Sequence, residues 1–340
     1  MKISLTGEFR CVVKDSAGLI VTDTGYNENM ILNQGLDFFG GGHGATINAK
    51  CAIGTGSIEP VATQTKLESF LALTGAVTAQ TVSDYSLPPQ NGVYKFWERK
   101  MYTFSGLGAV VIKELGLVST GTTAEDYYLT TRSLIKDSQG NNSSLTLKEG
   151  DTLDLYYKIN KYIPTADEVF QVNLLDAEGA PIPYNVTVRP AAVGDGSSNS
   201  VSTPVNKLTL AGNNNLYTSA YYKSTDLEPI TKTDITSSQP RTGYKLHSSQ
   251  LTFEPYTPNS FKRVMNIIFK VDDGNIAGGL RTFVLRSEYL SNPYYKPLSL
   301  FDFYPFQLRF GTAAGDLPIP KNTNETLTVP LQISWGRLEV

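Results

Sequence analysis

From Lys2 to Lys14 polarity alternates: Ile3, Leu5, Phe9, Cys11 and Val13 take odd positions, while Lys2, Ser4, Thr6, Glu8, Arg10 and Lys14 take even ones. Successive side chains of a strand point to opposite faces, so this period of two predicts a half-buried β-strand. Asp15-Ser16-Ala17-Gly18 supplies turn residues, and Leu19-Ile20-Val21-Thr22 then reads as the returning arm of a hairpin. Strand patterns recur at 50–54, 94–104, 109–118, 127–135 and 152–160, and later at 170–175, 184–188, 251–256, 260–271, 280–287 and 326–335. Gly, Asn, Ser and Pro clusters separate them, a cadence that belongs to sandwiches and barrels. The best helix candidate of the first half is Asn29 to Phe39, interrupted by Gly35 and stopped by Gly40-Gly41-Gly42, which leaves room for a turn or two. No stretch carries a sustained 3.6-residue apolar stripe, which disfavours a parallel α/β sheet with crossover helices. The expected fold class is all-β, with antiparallel β-sandwich-like units and one short helix.

A chain of 340 residues exceeds the usual single core and suggests two domains. The break is placed after Tyr162-Ile163-Pro164, giving an N-terminal β-sandwich at 1–164 and a C-terminal one at 165–340. Within the second, 191–220 is rich in Ser, Asn and Gly and reads as a long surface insertion, because such composition buries little. The two halves end alike. Asp151-Thr152-Leu153-Asp154-Leu155-Tyr156-Tyr157-Lys158-Ile159 and Glu325-Thr326-Leu327-Thr328-Val329-Pro330-Leu331-Gln332-Ile333 share an acid-Thr-Leu start and the same alternation. Upstream, Tyr94 to Phe104 and Ser260 to Phe269 form a second matching pair. An ancient duplication explains both matches; so does the ordinary habit of antiparallel sandwiches to end in alternating strands. Pro330 falls on the polar side of its strand, cannot donate to a ladder, and so suggests an edge that a neighbouring subunit could cover.

Charge narrows the partners. With 29 basic against 32 acidic residues and a net charge of -3, no overall field favours nucleic acid. No apolar run approaches the ~20 residues of a membrane-spanning helix, so membrane insertion is not expected. Residues 1–14 alternate where a signal peptide would carry an apolar block, so synthesis and folding in a cytoplasm are expected. Cys11 and Cys51 sit in strand-like apolar contexts, where a free thiol behaves as a small hydrophobe, and two cysteines fall short of a structural zinc site.

Catalytic chemistry finds little footing. His43 and His247 have no second potential ligand at metal spacing. Gly40-Gly41-Gly42-His43-Gly44 lacks the Lys-Ser/Thr of a phosphate loop, and Ala52-Ile53-Gly54-Thr55-Gly56-Ser57 lacks the spacing of a nucleophile elbow. Carboxylates such as Asp126, Asp151 and Asp154 read as loop and solvent-face charges. No catalytic, cofactor or metal residue is nominated, and a non-enzymatic protein is expected. The unusual local feature is aromatic: Tyr289, Tyr294, Tyr295, Phe301, Phe303, Tyr304, Phe306 and Phe310 lie in one short stretch. They suit a subunit interface or a platform for glycan, or else plain core packing. The candidate interface residues are therefore Tyr294, Tyr295, Phe301, Phe303, Tyr304, Phe306 and Pro330.

Several segments, in order, carry a resemblance. They are Asn29-Met30-Ile31-Leu32-Asn33-Gln34-Gly35-Leu36-Asp37; Cys51-Ala52-Ile53-Gly54-Thr55-Gly56-Ser57-Ile58-Glu59-Pro60 with Thr63-Gln64-Thr65-Lys66-Leu67; Thr131-Arg132-Ser133-Leu134-Ile135-Lys136-Asp137; Tyr256-Thr257-Pro258-Asn259-Ser260-Phe261-Lys262-Arg263; and Ile319 to Leu327 running into Ser334-Trp335-Gly336-Arg337. Together they span most of the chain, and the set resembles a family of tailed-bacteriophage virion proteins of the tail-fibre, minor tail or collar type. The resemblance implies a structural part of the neck, tail or baseplate, assembled in the host cytoplasm, self-associating and docking to other virion proteins. It also implies an alternative, a fibre protein that binds a host receptor or surface glycan. Gly35, Gly54 and Gly56 of these motifs are expected to serve tight turns that need positive φ.

Overall fold

The computed structural model describes residues 2–40, 47–77, 82–85, 92–176, 178–190, 219–227, 244–247, 250–288, 302–303 and 306–338. It is an all-β protein with one short helix among the described residues. In chain order come β1 (Lys2–Lys14), β2 (Ile20–Asp23), β3 (Asn27–Ile31), α1 (Asn33–Gly40), β4 (Lys50–Gly54), β5 (Phe70–Gly75) and β6 (Val82–Tyr85). Then follow β7 (Val93–Ser105), β8 (Val110–Ile112), β9 (Glu114–Val118), β10 (Thr131–Leu134), β11 (Leu145–Leu147) and β12 (Thr152–Pro164). The second half holds β13 (Glu168–Leu175), β14 (Pro181–Pro190), β15 (Ser219–Lys223), β16 (Tyr244–His247) and β17 (Leu251–Phe253). It closes with β18 (Lys262–Phe269), β19 (Thr282–Glu288), β20 (Asp302–Phe303), β21 (Phe306–Thr312) and β22 (Leu327–Arg337).

Strand β1 is the spine. Along one side it pairs antiparallel with β12 from Ser4 to Lys14. Along the other it meets β22 in parallel at Lys2 to Leu5, then β3 at Gly7 to Phe9, then β2 from Val12. Its odd residues divide accordingly between two cores. Phe9, Cys11 and Val13 join Cys51, Ile53, Tyr102, Leu115, Leu117, Leu153, Leu155 and Tyr157 in the first. Ile3 and Leu5 join Met265, Ile267, Phe269, Phe283, Leu308, Phe310, Val329, Leu331, Ile333 and Trp335 in the second. The alternation read from the sequence is thus the actual face pattern, but one strand serves both halves. In the second core the aromatic rings run Tyr222, Phe269, Phe283, Phe310 at centroid spacings of 5.2, 5.4 and 5.0 Å, near enough for edge-to-face attraction.

Some boundaries depart from expectation. Residues 29–31 are strand, since β1 recruits Asn27 to Asn29 into its ladder, and the helix begins only at Asn33. The run at 109–118 breaks at Lys113: β8 pairs with β11 while β9 pairs with β4 and β10. Ser219 and Ala220 belong to β15, paired with β16 and β19, so they are sheet residues and not insertion; 191–218 lie outside the described residues.

Candidate functional site at the joint between the two halves

Most of the segments that carry the resemblance meet at two adjoining places; the Ile319 to Leu327 run does not, Ile319 bridging to Leu280 and Lys321 donating to the Val271 carbonyl. The first is α1. Gly35 is there for close approach: a Cβ on it would stand 2.1 Å from the Thr130 carbonyl oxygen. Gln34 donates to the carbonyls of Thr65 (2.9 Å) and Leu129, and its own carbonyl accepts the Tyr128 hydroxyl at 3.0 Å. From the other half, the Tyr256 hydroxyl and the Asn259 amide both donate to Asp37 Oδ1 at 2.6 Å. Trp335 Nε1 donates to the Leu36 carbonyl at 2.8 Å, and its ring stacks on Tyr256 at 5.8 Å. Arg337 donates through Nε to the Ile31 carbonyl (2.5 Å) and through Nη2 to Asn33 Oδ1 (2.7 Å). Burial first, and then the bond to Asp37, push the Tyr256 phenol well above its ordinary value. The delivering segment is bent hard: Asn259 and Phe261 sit at φ 63° and 48°, a region that asparagine tolerates and that costs a phenylalanine roughly 1–2 kcal/mol.

The second place is a buried ion pair. Glu114 and Arg132, both 0% exposed in their side chains, stand on adjacent strands β9 and β10 with Nη2 to Oε2 at 2.7 Å and Nε to Oε2 at 2.9 Å. Glu114 Oε1 also accepts the amides of Gly56 (3.1 Å) and Ser69 (2.7 Å), and Oε2 that of Glu68 (3.1 Å). Arg132 Nη1 reaches Gln64 Oε1 at 2.8 Å. Glu68 in turn accepts the amides of Ser57 and Ile58 at 2.5 and 2.7 Å. The loop from Gly54 to Ser69 is therefore wound about one carboxylate that meets enough donors to compensate its burial. Gly54 and Gly56 are not at positive φ, contrary to expectation. A Cβ on either would fall 2.6 or 2.4 Å from Glu114 Oε1, so close approach is what excludes a side chain.

A cleft of about 330 Å³ opens beside this centre, with Gly7, Asn29, Glu59, Arg132, Lys136 and Arg337 among its walls. Its two arginines are occupied by Glu114, Gln64, Ile31 and Asn33, and Glu59 accepts from Asn142. The remaining carboxylates named from the sequence have local work. Asp126 accepts the Thr122 and Thr123 amides at 2.8 and 2.7 Å, which hold its pKa below the usual range. Asp151 accepts the Lys148 amide at 2.8 Å. Asp154 is no solvent-face charge but is 3% exposed, bonded to Lys14 Nζ and Thr103 Oγ1 at 2.7 Å each. Among the described residues no group of three or more His, Cys, Asp and Glu is placed to hold a metal ion. Cys11 and Cys51 are free and buried.

Of the candidate interface residues, Tyr294, Tyr295, Phe301 and Tyr304 lie outside the described residues, as do Tyr289 and His43. Phe303 pairs with Ser287 in β20, and Phe306 with Pro190 in β21. Phe310 is core, 2% exposed. Pro330 is exposed and stands opposite Asn266 of β18. Strand β22 lies inside the sheet order, but β1 pairs with it only from Ser334 onward, so around Pro330 it is paired on one side among the described residues. Glu114 was not singled out in the sequence. Its signal was a lone acid in the otherwise apolar Glu114-Leu115-Gly116-Leu117-Val118, five residues that are all buried.

Compared with protein-family models, curated proteins and solved structures, the chain matches none.

Proposed function

We propose that this chain is a non-enzymatic structural component of a tailed-phage virion, in the neck or collar, tail or baseplate, working by self-association and docking to other virion proteins. One observation carries the proposal. Most of the segments that resemble the family's motifs, scattered from Asn29 to Arg337, meet at two adjoining places and are engaged with the chain itself. Their work is to set the geometry of two sandwiches about a common strand, which is what a building block needs and what a substrate site does not. Surfaces for assembly are at hand. Leu19, just before β2, and Ile20 and Val21 on it are 66, 60 and 56% exposed, and Val169 and Leu175 are 65 and 69% exposed on β13. Both strands are paired on one side only among the described residues, and such edges invite another strand.

Immunogold labelling of particles purified from a producing culture, with antibody against the folded chain, tests this. Regular labelling at the neck, tail or baseplate, with a ring or other closed oligomer in sedimentation, is the expected result. Antigen recovered only from the particle-free fraction would overturn it. Labelling of fibre tips together with binding of the pure protein to host cells would favour the receptor-binding alternative instead.

A further inference from the structure

The inward row of β12 passes from one core to the other. Leu153, Leu155, Tyr157 and Ile159 belong to the first and Ile163 to the second; between them sits Lys161, 1% exposed. On β1 the crossing falls at Gly7, between Phe9 and Leu5, and Leu5 is the ladder partner of Lys161. An amine thus lies where the two cores abut. On this face β1 presents Ile3, Leu5, Gly7 and Phe9, none of them titratable. From β7 come Glu98, opposite Ile159 and so two pairs along from Lys161, and Lys100, whose Nζ is 3.5 Å from Glu98 Oε1. From the turn before β4 comes Asn48, donating to Glu98 at 2.8 Å, while the Tyr102 hydroxyl donates to the Asn48 carbonyl at 2.6 Å. The Glu98 carboxylate is therefore shared among Asn48, Lys100 and the field at Lys161. Burial pulls the Lys161 amine down to about 7, and the Glu98 charge opposes this only in part.

We propose that the seam is a proton-linked joint: parting the second core from the first along β1 and β12 hydrates Lys161 and takes up one proton there. The closed seam holds the amine at about 7 and the opened seam returns it toward 10.5, so the closed state binds fewer protons between those values. Stability of the seam is greatest at the alkaline side and is lost as pH falls toward 7; below that the amine is protonated in both states and the dependence stops. Cys11 and Cys51, which burial holds above their ordinary 9.0, add a dependence of opposite sign once an opened chain can ionise them. The clean window is therefore about pH 7 to 8.5.

Hydrogen exchange read by mass spectrometry on the full chain, corrected for the intrinsic pH dependence, measures the opening. In peptides covering 2–8, 157–164 and 330–338 the opening constant should rise roughly five- to tenfold from pH 8.2 to 7.2, close to the one-proton limit. Lys161→Met should make those peptides better protected near pH 7 and flatten the profile. A wild-type profile without slope, or the same slope in Lys161→Met, overturns the proposal. If Lys161→Met does not fold, Glu98→Gln decides: it lowers the lysine further, so the slope should persist below pH 7, and an unchanged profile overturns the proposal equally.

Discussion

Strands β12 and β22 look alike in sequence and live differently. β12 is paired along its length on both sides, with β1 and with β7, and even its polar row is covered, Asp154 and Asn160 being 3 and 0% exposed. Along Leu327 to Ile333, β22 is paired with β18 alone among the described residues, and its polar row of Thr328, Pro330 and Gln332 is exposed. Both strands pair antiparallel with the upstream strand that matches in sequence, β7 in one case and β18 in the other, as a duplication would leave them. Yet they flank β1 on opposite sides, one antiparallel and one parallel. One alternating pattern can thus specify a central strand or an open one, because period two fixes which face is apolar and says nothing of how many neighbours complete the ladder.

The halves also handle charge differently, and the largest predicted effect breaks that contrast. Arg132→Ala leaves Glu114 buried without its cation and should cost about 3–5 kcal/mol in urea unfolding. Arg309→Ala removes pairs to Asp226 and Asp316, which are 69 and 59% exposed, and should cost only about 0–1 kcal/mol. Equal losses would mean that the first half does not depend on its ionic centre.

Cavities sharpen the comparison next. Leu155→Ala and Leu331→Ala each remove a buried leucine, for about 2–5 kcal/mol by the same assay. Leu155 should fall at the upper end, since strands wall β12 on both sides and little can relax into the void. Leu331 should fall at the lower end, because β22 can shift toward its open side. The reverse order would show that pairing does not set rigidity here.

The sequence made many strands legible, since apolar periodicity is a local property and β1, β12 and β22 obey it. It also placed the joint's residues in ordered motifs, Asp37, Arg132, Trp335 and Arg337 among them. Their meeting was hidden, because Asp37 and Tyr256 are 219 residues apart and nothing local announces a long-range bond. Glycine roles were misread for the same reason. A local signal suggests a turn, whereas Gly35, Gly54 and Gly56 are small because Thr130 or Glu114 stands against them.

Trp335→Phe tests the joint with a smaller effect. It keeps the ring beside Tyr256 but loses the Nε1 bond to Leu36, for about 0.5–1.5 kcal/mol. Exchange protection of α1 should fall more than that of β4 or β9. A uniform loss would mean that the tryptophan stabilises the second core and does not clamp the helix.

Pro330→Thr carries the smallest expected change in stability and the most direct bearing on the open strand. A proline is tolerated where its missing N–H faces away from the ladder, so a threonine should leave unfolding within about 0.5 kcal/mol of the parent. What it adds is a donor on the side of β22 that β18 does not occupy, in a stretch otherwise able to pair. The variant should therefore sediment as larger species at high protein concentration while its melting curve at low concentration stays put. A large loss of stability with no change in association would place the proline ring in the packing of β22 and remove the reason to regard this edge as blocked.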